Sequence, residues 1–143
     1  MREYKFRGKH KNPYGDKWVY GYYAFKDGEH IIIMPHKGIY ENNLKEGKNI
    51  PYISVDHTIE YNTIGQYTGL KDKNEVEIFE GDIVFSDSED DCGYVEWDKD
   101  MCCFLIVFSG VCINFDHFLS RELEVCGNLY DNSELLDWIN VSY

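Results

Sequence analysis

Short runs in which apolar and polar residues alternate recur through the second half of the chain, and this periodicity constrains the fold more than any other feature. In QYTGLKDKNEVEIFEGDIVF, residues 66–85, two such runs flank a turn at residues 71–74. Further strands are predicted at about the 8- to 12-residue spacing of all-β barrels and sandwiches, at residues 93–97, 101–108 and 123–130. The run 101–108 is apolar throughout, which predicts a central strand covered on both faces. The pattern predicts a small, partly open β-barrel over residues 61–131.

The other segments predict a β-rich N-terminal subdomain and a short C-terminal helix. Aromatic and β-branched residues favour strands at residues 4–7, 18–25 and 30–34. A turn is expected at residues 12–16, and a looser excursion over residues 35–52. Asn132 or Ser133 can cap a helix over residues 132–141. With 143 residues, 43% of them hydrophobic, the chain can bury one sizeable core. We therefore expect one mainly β domain, made of an N-terminal subdomain (1–60), the barrel (61–131) and the helix (132–141).

Charge is divided unevenly along the chain. Residues 1–50 carry ten Lys or Arg against six Asp or Glu, whereas residues 51–143 carry four against twenty, within a net charge of −12. Such a division creates an oriented field, so that one end attracts anions and the other repels them. The acidic part disfavours nonspecific binding to duplex DNA, because carboxylates repel phosphates.

The cellular compartment is predicted from apolar runs and cysteines. No apolar run approaches the roughly 20 residues that cross a bilayer, and the opening MREYKFRGKHKN lacks the apolar stretch of a secretory signal. The five cysteines form no C-x-x-C pair, which indicates reduced and mostly buried thiols. We expect a cytoplasmic protein without a membrane partner.

Residue patterns for metal binding or catalysis are weak, so we predict no cofactor, no metal and no enzymatic activity. Cys102 and Cys103 are adjacent on a predicted strand and would point to opposite faces. The acidic run from Asp87 to Asp91 does not match the register of a calcium-binding EF-hand loop, although weak binding of a divalent ion at its surface is left open. There is no nucleophile motif of a known class. A hydrolase that the sequence does not reveal stays an alternative.

Two charged segments are candidate partner-binding sites. Near the N-terminus, cations alternate with rings, as in nucleic-acid surfaces, and the candidates are Lys5, Arg7, Lys9, Lys11 and Trp18. The acidic candidates are Asp87, Glu89, Asp90 and Asp91. A plainer interpretation of the basic segment places Tyr4 and Phe6 on the core face of a strand and Lys5 and Arg7 in a solvated outer row.

Several blocks resemble the YopX family of phage and prophage proteins. The resemblance spans nearly the whole chain, and its most specific parts are GQYTGLKDKNEVEIFEGDIV and LEVCGNLYDNSELL, together with YKFRGK and WVYGYY near the start. It departs from the family where Glu75 replaces a common glycine and Ser133 a common proline. The resemblance implies a mainly β fold, a phage or prophage origin and the host cytoplasm, and it implies no known activity. The block GDIV is also similar to the first strand of SH3-like barrels, which mostly serve as binding modules.

Four functions are therefore considered. The leading prediction is a non-enzymatic accessory protein that binds a macromolecule, an unidentified host or phage protein, and self-associates through its oppositely charged parts. The alternatives are an acidic decoy that imitates DNA, direct nucleic-acid binding through the basic N-terminal face, and the unrecognised hydrolase. The decoy requires carboxylates in a row at phosphate-like spacing.

Overall fold

The computed structural model describes residues 3–11, 17–35, 54–115 and 120–136. These residues fall into two compact units, one within Tyr4–Ile64 and one within Gly65–Tyr143. The first unit contains the strands β1 (Phe6–Lys9), β2 (Trp18–Lys26), β3 (Glu29–Pro35) and β4 (Ser54–Thr58). The second contains β5 (Gly65–Lys71), β6 (Glu77–Phe79), β7 (Asp82–Ser86), β8 (Asp91–Asp98), β9 (Cys103–Phe108), β10 (Val111–Asn114) and β11 (Leu123–Asn128). The mainly β prediction is confirmed.

In the N-terminal unit the strands lie in the order β4-β3-β2-β1, all antiparallel. A single bridge between His10 and Ile59 links the residue after β1 to the residue after β4. The described core is small, with Val19, Ile32 and Ile59 at its centre. The side chain of Ile59 packs against the backbone at Gly8, since a Cβ there would lie 2.7 Å from Cδ1 of Ile59. The bridge and this close contact curl the sheet around its apolar face.

In the C-terminal unit, β5 and β6 form a hairpin and the other five strands form an antiparallel sheet in the order β10-β9-β8-β7-β11. β9 lies inside this sheet, as its unbroken apolar sequence predicted, and Ile106 is fully buried. The core also contains buried residues from β6, β7, β8 and β11: Ile78, Val84, Val95 and Leu123. Burial in β8 alternates, as period-two hydrophobicity predicts, whereas β7 and β9 bury adjacent residues.

The barrel predicted over residues 61–131 is wrong, because the described strands form open sheets that do not close into a barrel. Among the described strands, β10 and β11 are the edges of the five-stranded sheet, and no described pairing joins them. Alternation identifies the buried face of each strand, whereas closure depends on strand tilt and stagger, which alternation does not encode. The SH3-like relationship stays a prediction.

The predicted C-terminal helix is not seen over residues 132–136. Ser133–Leu135 form a single 3-10 turn, and the backbone of Leu136 (φ −118°, ψ 76°) is not helical. The side chain of Asn132 makes no capping bond and instead accepts a hydrogen bond from Asn128 N at 3.2 Å. Residues 137–141, the predicted turn at 12–16 and nearly all of the excursion over 35–52 lie outside the described residues. No helix in the described part of the chain is long and apolar enough to cross a bilayer.

Candidate functional site

The turn between β6 and β7, which belongs to the most specific sequence block, uses its polar groups to hold the backbone. Asp82 is 1% exposed, and its Oδ2 accepts a hydrogen bond of 2.7 Å from Phe79 N. Gly81 adopts a φ of 84°, which favours glycine. Its N–H donates to Val95 O at 2.8 Å, and its carbonyl accepts from Leu129 N at 2.9 Å. This block is therefore structural.

Asp72, after β5, is a second buried carboxylate with a structural role. It is 4% exposed, and its Oδ1 accepts hydrogen bonds from Asn74 N at 2.8 Å and Val76 N at 2.9 Å. Oδ2 accepts from Val125 N in β11 at 2.8 Å. The carboxylate thus shapes the turn of the β5–β6 hairpin and fastens it to β11.

The closing block is organised in the same way. The side-chain oxygen of Asn128 accepts hydrogen bonds from the backbone N–H groups of Tyr130 and Asp131, both at 3.0 Å. Gly127 has no room for a side chain, because a Cβ there would lie 2.5 Å from Oδ1 of Asn132. These amide side chains replace backbone partners in an irregular turn.

The N-terminal sheet brings rings of β2 onto the same face as the cations Arg7 and Lys9. Phe6 lies on the opposite face of β1 and packs against the core, as the sequence predicted. The register pairs Lys9 with Trp18 and Arg7 with Tyr20, and directly paired residues share a face. The guanidinium of Arg7 lies 4.6 Å from the centroid of the Trp18 ring, and Nζ of Lys9 lies 5.8 Å from it. Tyr22 follows on the same face of β2. We call Arg7, Lys9, Trp18, Tyr20 and Tyr22 the cation–aromatic face.

Burial on this sheet corrects the plainer interpretation of the basic segment. Tyr4 is 60% exposed, although it was expected in the core, and Arg7 is 6% exposed, although it was expected in a solvated row. The reason is cation–π packing, since Trp18 covers the guanidinium and its apolar stem. Lys5 precedes β1 and is half-buried, while exposed Lys11 pairs with Glu29 at 3.2 Å. Tyr20 and Tyr22 remain 40% and 58% exposed.

The acidic candidates lie in the turn between β7 and β8 and at the start of β8. Asp87, Glu89, Asp90 and Asp91 are all exposed, and Asp87 Oδ1 pairs with Lys73 Nζ at 3.3 Å. The hydrogen bond from Lys73 to Glu124 is the main reason why the pKa of Lys73 is raised. Asp98 and Asp100 lie at the other end of β8, roughly 23 Å away at about 3.3 Å per residue. The carboxylates thus form two separate clusters, which argues against the row that a DNA decoy requires.

Two histidines that the sequence separates by 47 positions meet in the N-terminal unit. The rings of His10 and His57 lie edge to face, with centroids 5.2 Å apart. Burial, and then the neighbouring His10, lower the pKa of His57, against a weaker opposing effect of Asp56. Both rings line a cavity of about 390 Å³ with Lys17, Trp18, Val19 and Met34. Helical spacing could not reveal this pair, because strand pairing creates it.

Glu80 is a further described group whose pKa is shifted. Glu80 is half-buried, and burial raises the pKa of its carboxyl, assisted by Glu96. Its Oε2 accepts a weak hydrogen bond from Gln66 N at 3.5 Å. Within the described ranges no group of three or more His, Cys, Asp or Glu residues could hold a metal ion.

The prediction of mostly buried cysteines is wrong. Cys102, Cys112 and Cys126 are exposed, and Cys92 and Cys103 are only half-buried. Cys102 lies in the turn before β9, with a φ of 53°, so the strand is shorter than the apolar run that predicted it.

Comparison with known proteins identifies the family of this chain and a solved structure of similar fold. The model of a family described as YopX protein matches residues 5–137. The crystal structure of protein EF1440 from Enterococcus faecalis is similar, with a TM-score of 0.57 and 26% sequence identity, over 95% of this chain and 99% of that one. No curated protein matches the chain.

Proposed function

The chain belongs to the YopX protein family, and we propose that it is a phage- or prophage-encoded accessory protein of the host cytoplasm that acts as a non-enzymatic macromolecular binding module. The polar groups of its most specific blocks support this proposal. Asp72 and Asp82 accept hydrogen bonds from backbone N–H groups, and Asn128 does the same. Those side chains stabilise loops. A structural role therefore explains the polar residues of the most specific sequence blocks, and no catalytic role is needed to explain them.

The observation that carries the proposal is the register of β1 and β2, which creates the cation–aromatic face. Interface hot spots are enriched in Trp, Tyr and Arg. Trp18 packs over Arg7 and holds the guanidinium in place, while Tyr20 and Tyr22 keep large exposed fractions of 40% and 58%. Such rings contribute contact area at a low cost in side-chain entropy.

The partner that the charges favour is an acidic protein surface, and a second copy of this chain offers one. Residues 51–143 carry twenty acidic against four basic residues, and Asp87, Glu89, Asp90 and Asp91 are exposed together. Oppositely charged patches steer association and fix its orientation more than they add affinity. Self-association should therefore weaken with salt, and an acidic host or phage protein could take the same place.

Light scattering coupled to size-exclusion chromatography, at low and high salt, tests self-association. The variant pair Tyr20→Ala and Tyr22→Ala should weaken oligomers by at least about tenfold in dissociation constant, because hot-spot rings contribute roughly 2 kcal/mol or more. Phe25→Ala is the matched control, since Phe25 is 62% exposed and lies on the opposite face of the same strand. A wild-type monomer at every concentration would remove self-association.

Affinity capture from lysogenic or infected host cells tests the binding module itself. We expect a captured protein to be lost with the Tyr20→Ala and Tyr22→Ala pair and kept with Phe25→Ala. Equal capture by both variants would show that the cation–aromatic face is not the contact surface.

Nucleic-acid binding is a second candidate, because the same face combines cations with exposed rings, as single-strand platforms do. Fluorescence anisotropy with a labelled single-stranded oligonucleotide should then show affinity that falls with salt. Neutralising Lys5 and Lys9 to Gln should reduce it, whereas Lys71→Gln, which removes the partner of Glu75 at 3.6 Å in the C-terminal unit, should not. Arg7 is left intact because it is buried. Binding unaffected by the first pair would exclude this candidate.

A further inference from the structure

Three side chains with metal-binding chemistry lie on one face of the N-terminal sheet. In the register of β3 and β4, His57 is paired with Ile32, and Met34 lies two residues further along β3 on the same face. His10 is bridged to Ile59, two residues beyond His57, again on that face. His57 therefore lies between His10 and Met34, and all three line the same cavity of about 390 Å³.

The separation of the two imidazoles matches that of two ligands on one ion. Their centroids lie 5.2 Å apart, with the ring planes at 74°. Two imidazoles whose nitrogens lie roughly 2.0–2.1 Å from a tetrahedral ion have centroids about 5 Å apart. An ion between them would thus need small rotations of the rings and no movement of the sheet.

The hydrogen bond of His10 also fits a ligand. Nδ1 of His10 lies 2.9 Å from the carbonyl oxygen of Lys11. Because a carbonyl only accepts, Nδ1–H is the donor, and the lone pair of the neutral ring is on Nε2. Metal-binding histidines usually donate their other ring N–H to a carbonyl or carboxylate, which fixes the tautomer and the ring orientation.

We propose that the N-terminal unit binds one transition-metal ion through the imidazoles of His10 and His57, with the thioether of Met34 as the third ligand, and that copper(I) is preferred over zinc(II). A thioether selects a soft ion, and imidazole suits copper as well as zinc. Lys17 lines the same cavity, and its positive charge disfavours a divalent ion more than a monovalent one. None of the three proposed ligands belongs to the cation–aromatic face, so metal binding can be tested separately from the proposed binding function. Trp18 lines the cavity and also belongs to that face.

Competition with a chromogenic copper(I) chelator, under reducing and anaerobic conditions, measures the affinity directly. We expect one copper(I) per chain. His10→Gln and His57→Gln should each reduce the affinity by at least about tenfold, in the range seen when the shell of a metal site is altered. His30→Gln is the matched control, since His30 lies in the same sheet and bonds to Tyr23 at 2.8 Å instead. Met34→Leu should weaken copper(I) and leave zinc(II) unchanged.

Histidine side-chain NMR of the wild-type protein gives a readout that needs no variant. Adding copper(I) should shift the imidazole signals of His10 and His57 and leave that of His30 in place. Absence of 1:1 binding, equal affinity in the His10→Gln and His57→Gln proteins, or shifts confined to other histidines would each overturn the proposal. An affinity for zinc(II) equal to that for copper(I) would overturn the assigned preference and the role of Met34.

Discussion

The two units use their polar side chains in opposite ways. In the C-terminal unit, Asp72 and Asp82 are buried and accept hydrogen bonds from the backbone. In the N-terminal unit, Tyr20 and Tyr22 keep much of their surface exposed, and His10 and His57 line a cavity. The polar residues of the most specific sequence block, Asp72 and Asp82, therefore stabilise the fold. Tyr20 and Tyr22, which we propose as contact residues, lie in the N-terminal unit.

The hydrophobic cores of the two units also differ, and the larger described core lies in the C-terminal unit. The described cluster of the C-terminal unit contains aromatic and aliphatic residues from several strands, with Ile106 and Leu123 fully buried. The cluster of the N-terminal unit centres on Val19, Ile32 and Ile59. A smaller core stabilises less, because the hydrophobic contribution follows the apolar area removed from water. Among the described residues, the hydrophobic contribution is therefore the larger in the C-terminal unit.

The largest expected effects come from the two cores. Ile106→Ala and Ile32→Ala each remove a side chain that is fully buried, and each should lower the free energy of unfolding by about 2–5 kcal/mol. Hydrogen exchange followed by mass spectrometry reports each unit separately. Faster exchange should be confined to the unit that carries the substitution. Equal loss of protection in both units, from either variant, would show that the two cores do not unfold separately.

Asp72→Asn tests whether the buried carboxylates hold the C-terminal unit together. The amide can still accept from Asn74 N and Val76 N, but its NH2 group faces Val125 N, which loses its acceptor. An orphaned buried donor costs about 1–3 kcal/mol, and urea unfolding should show a loss of this size. Asp87→Asn is the control, because Asp87 is exposed and a surface change stays within about 0.5 kcal/mol. Equal stability of the two variants would assign Asp72 no structural role.

The sequence predicted the elements of the fold better than their assembly. Local patterns correctly placed β7 at residues 82–86, and the unbroken apolar run correctly predicted burial on both faces of β9. Barrel closure failed because it depends on contacts between distant strands, whereas the helix failed over residues 132–136 because of a local contact. Asn132, which was expected to cap a helix, bonds to Asn128 instead. A good capping residue is also a good turn residue, and local sequence does not decide between the two roles.

The candidate sites were predicted less well, because strand pairing brings them together. Lys9 and Trp18 were both named as candidates, but their contact follows from the register of β1 and β2. The pair of His10 and His57 had no signal in the sequence, since 47 positions separate its members and strand pairing brings them together. Burial of Arg7 was missed because alternation treats arginine as polar, whereas its stem and planar head pack well against a tryptophan ring.

Glu80 gives the smallest expected effect. It differs from Asp72 and Asp82, because its hydrogen bonds offset only part of the cost of burying its carboxylate. Burial raises the pKa of its carboxyl above the ordinary 4.5, and Glu96 adds to the rise. The folded state therefore binds this proton more tightly than the unfolded chain does. Its contribution to the free energy of unfolding must decrease as the pH rises from 4.5 through the raised pKa.

Glu80→Gln removes this titration and keeps an oxygen that can accept from Gln66 N. The variant should gain stability relative to the wild type as the pH rises from 4 to 7, which urea unfolding at several pH values would measure. Glu89→Gln, in the exposed turn after β7, is the control and should follow the wild-type curve. If the difference shrank with rising pH, the Glu80 carboxylate would be stabilised as an anion. Like the carboxylates of Asp72 and Asp82, it would then be a buried anion stabilised by its hydrogen bonds.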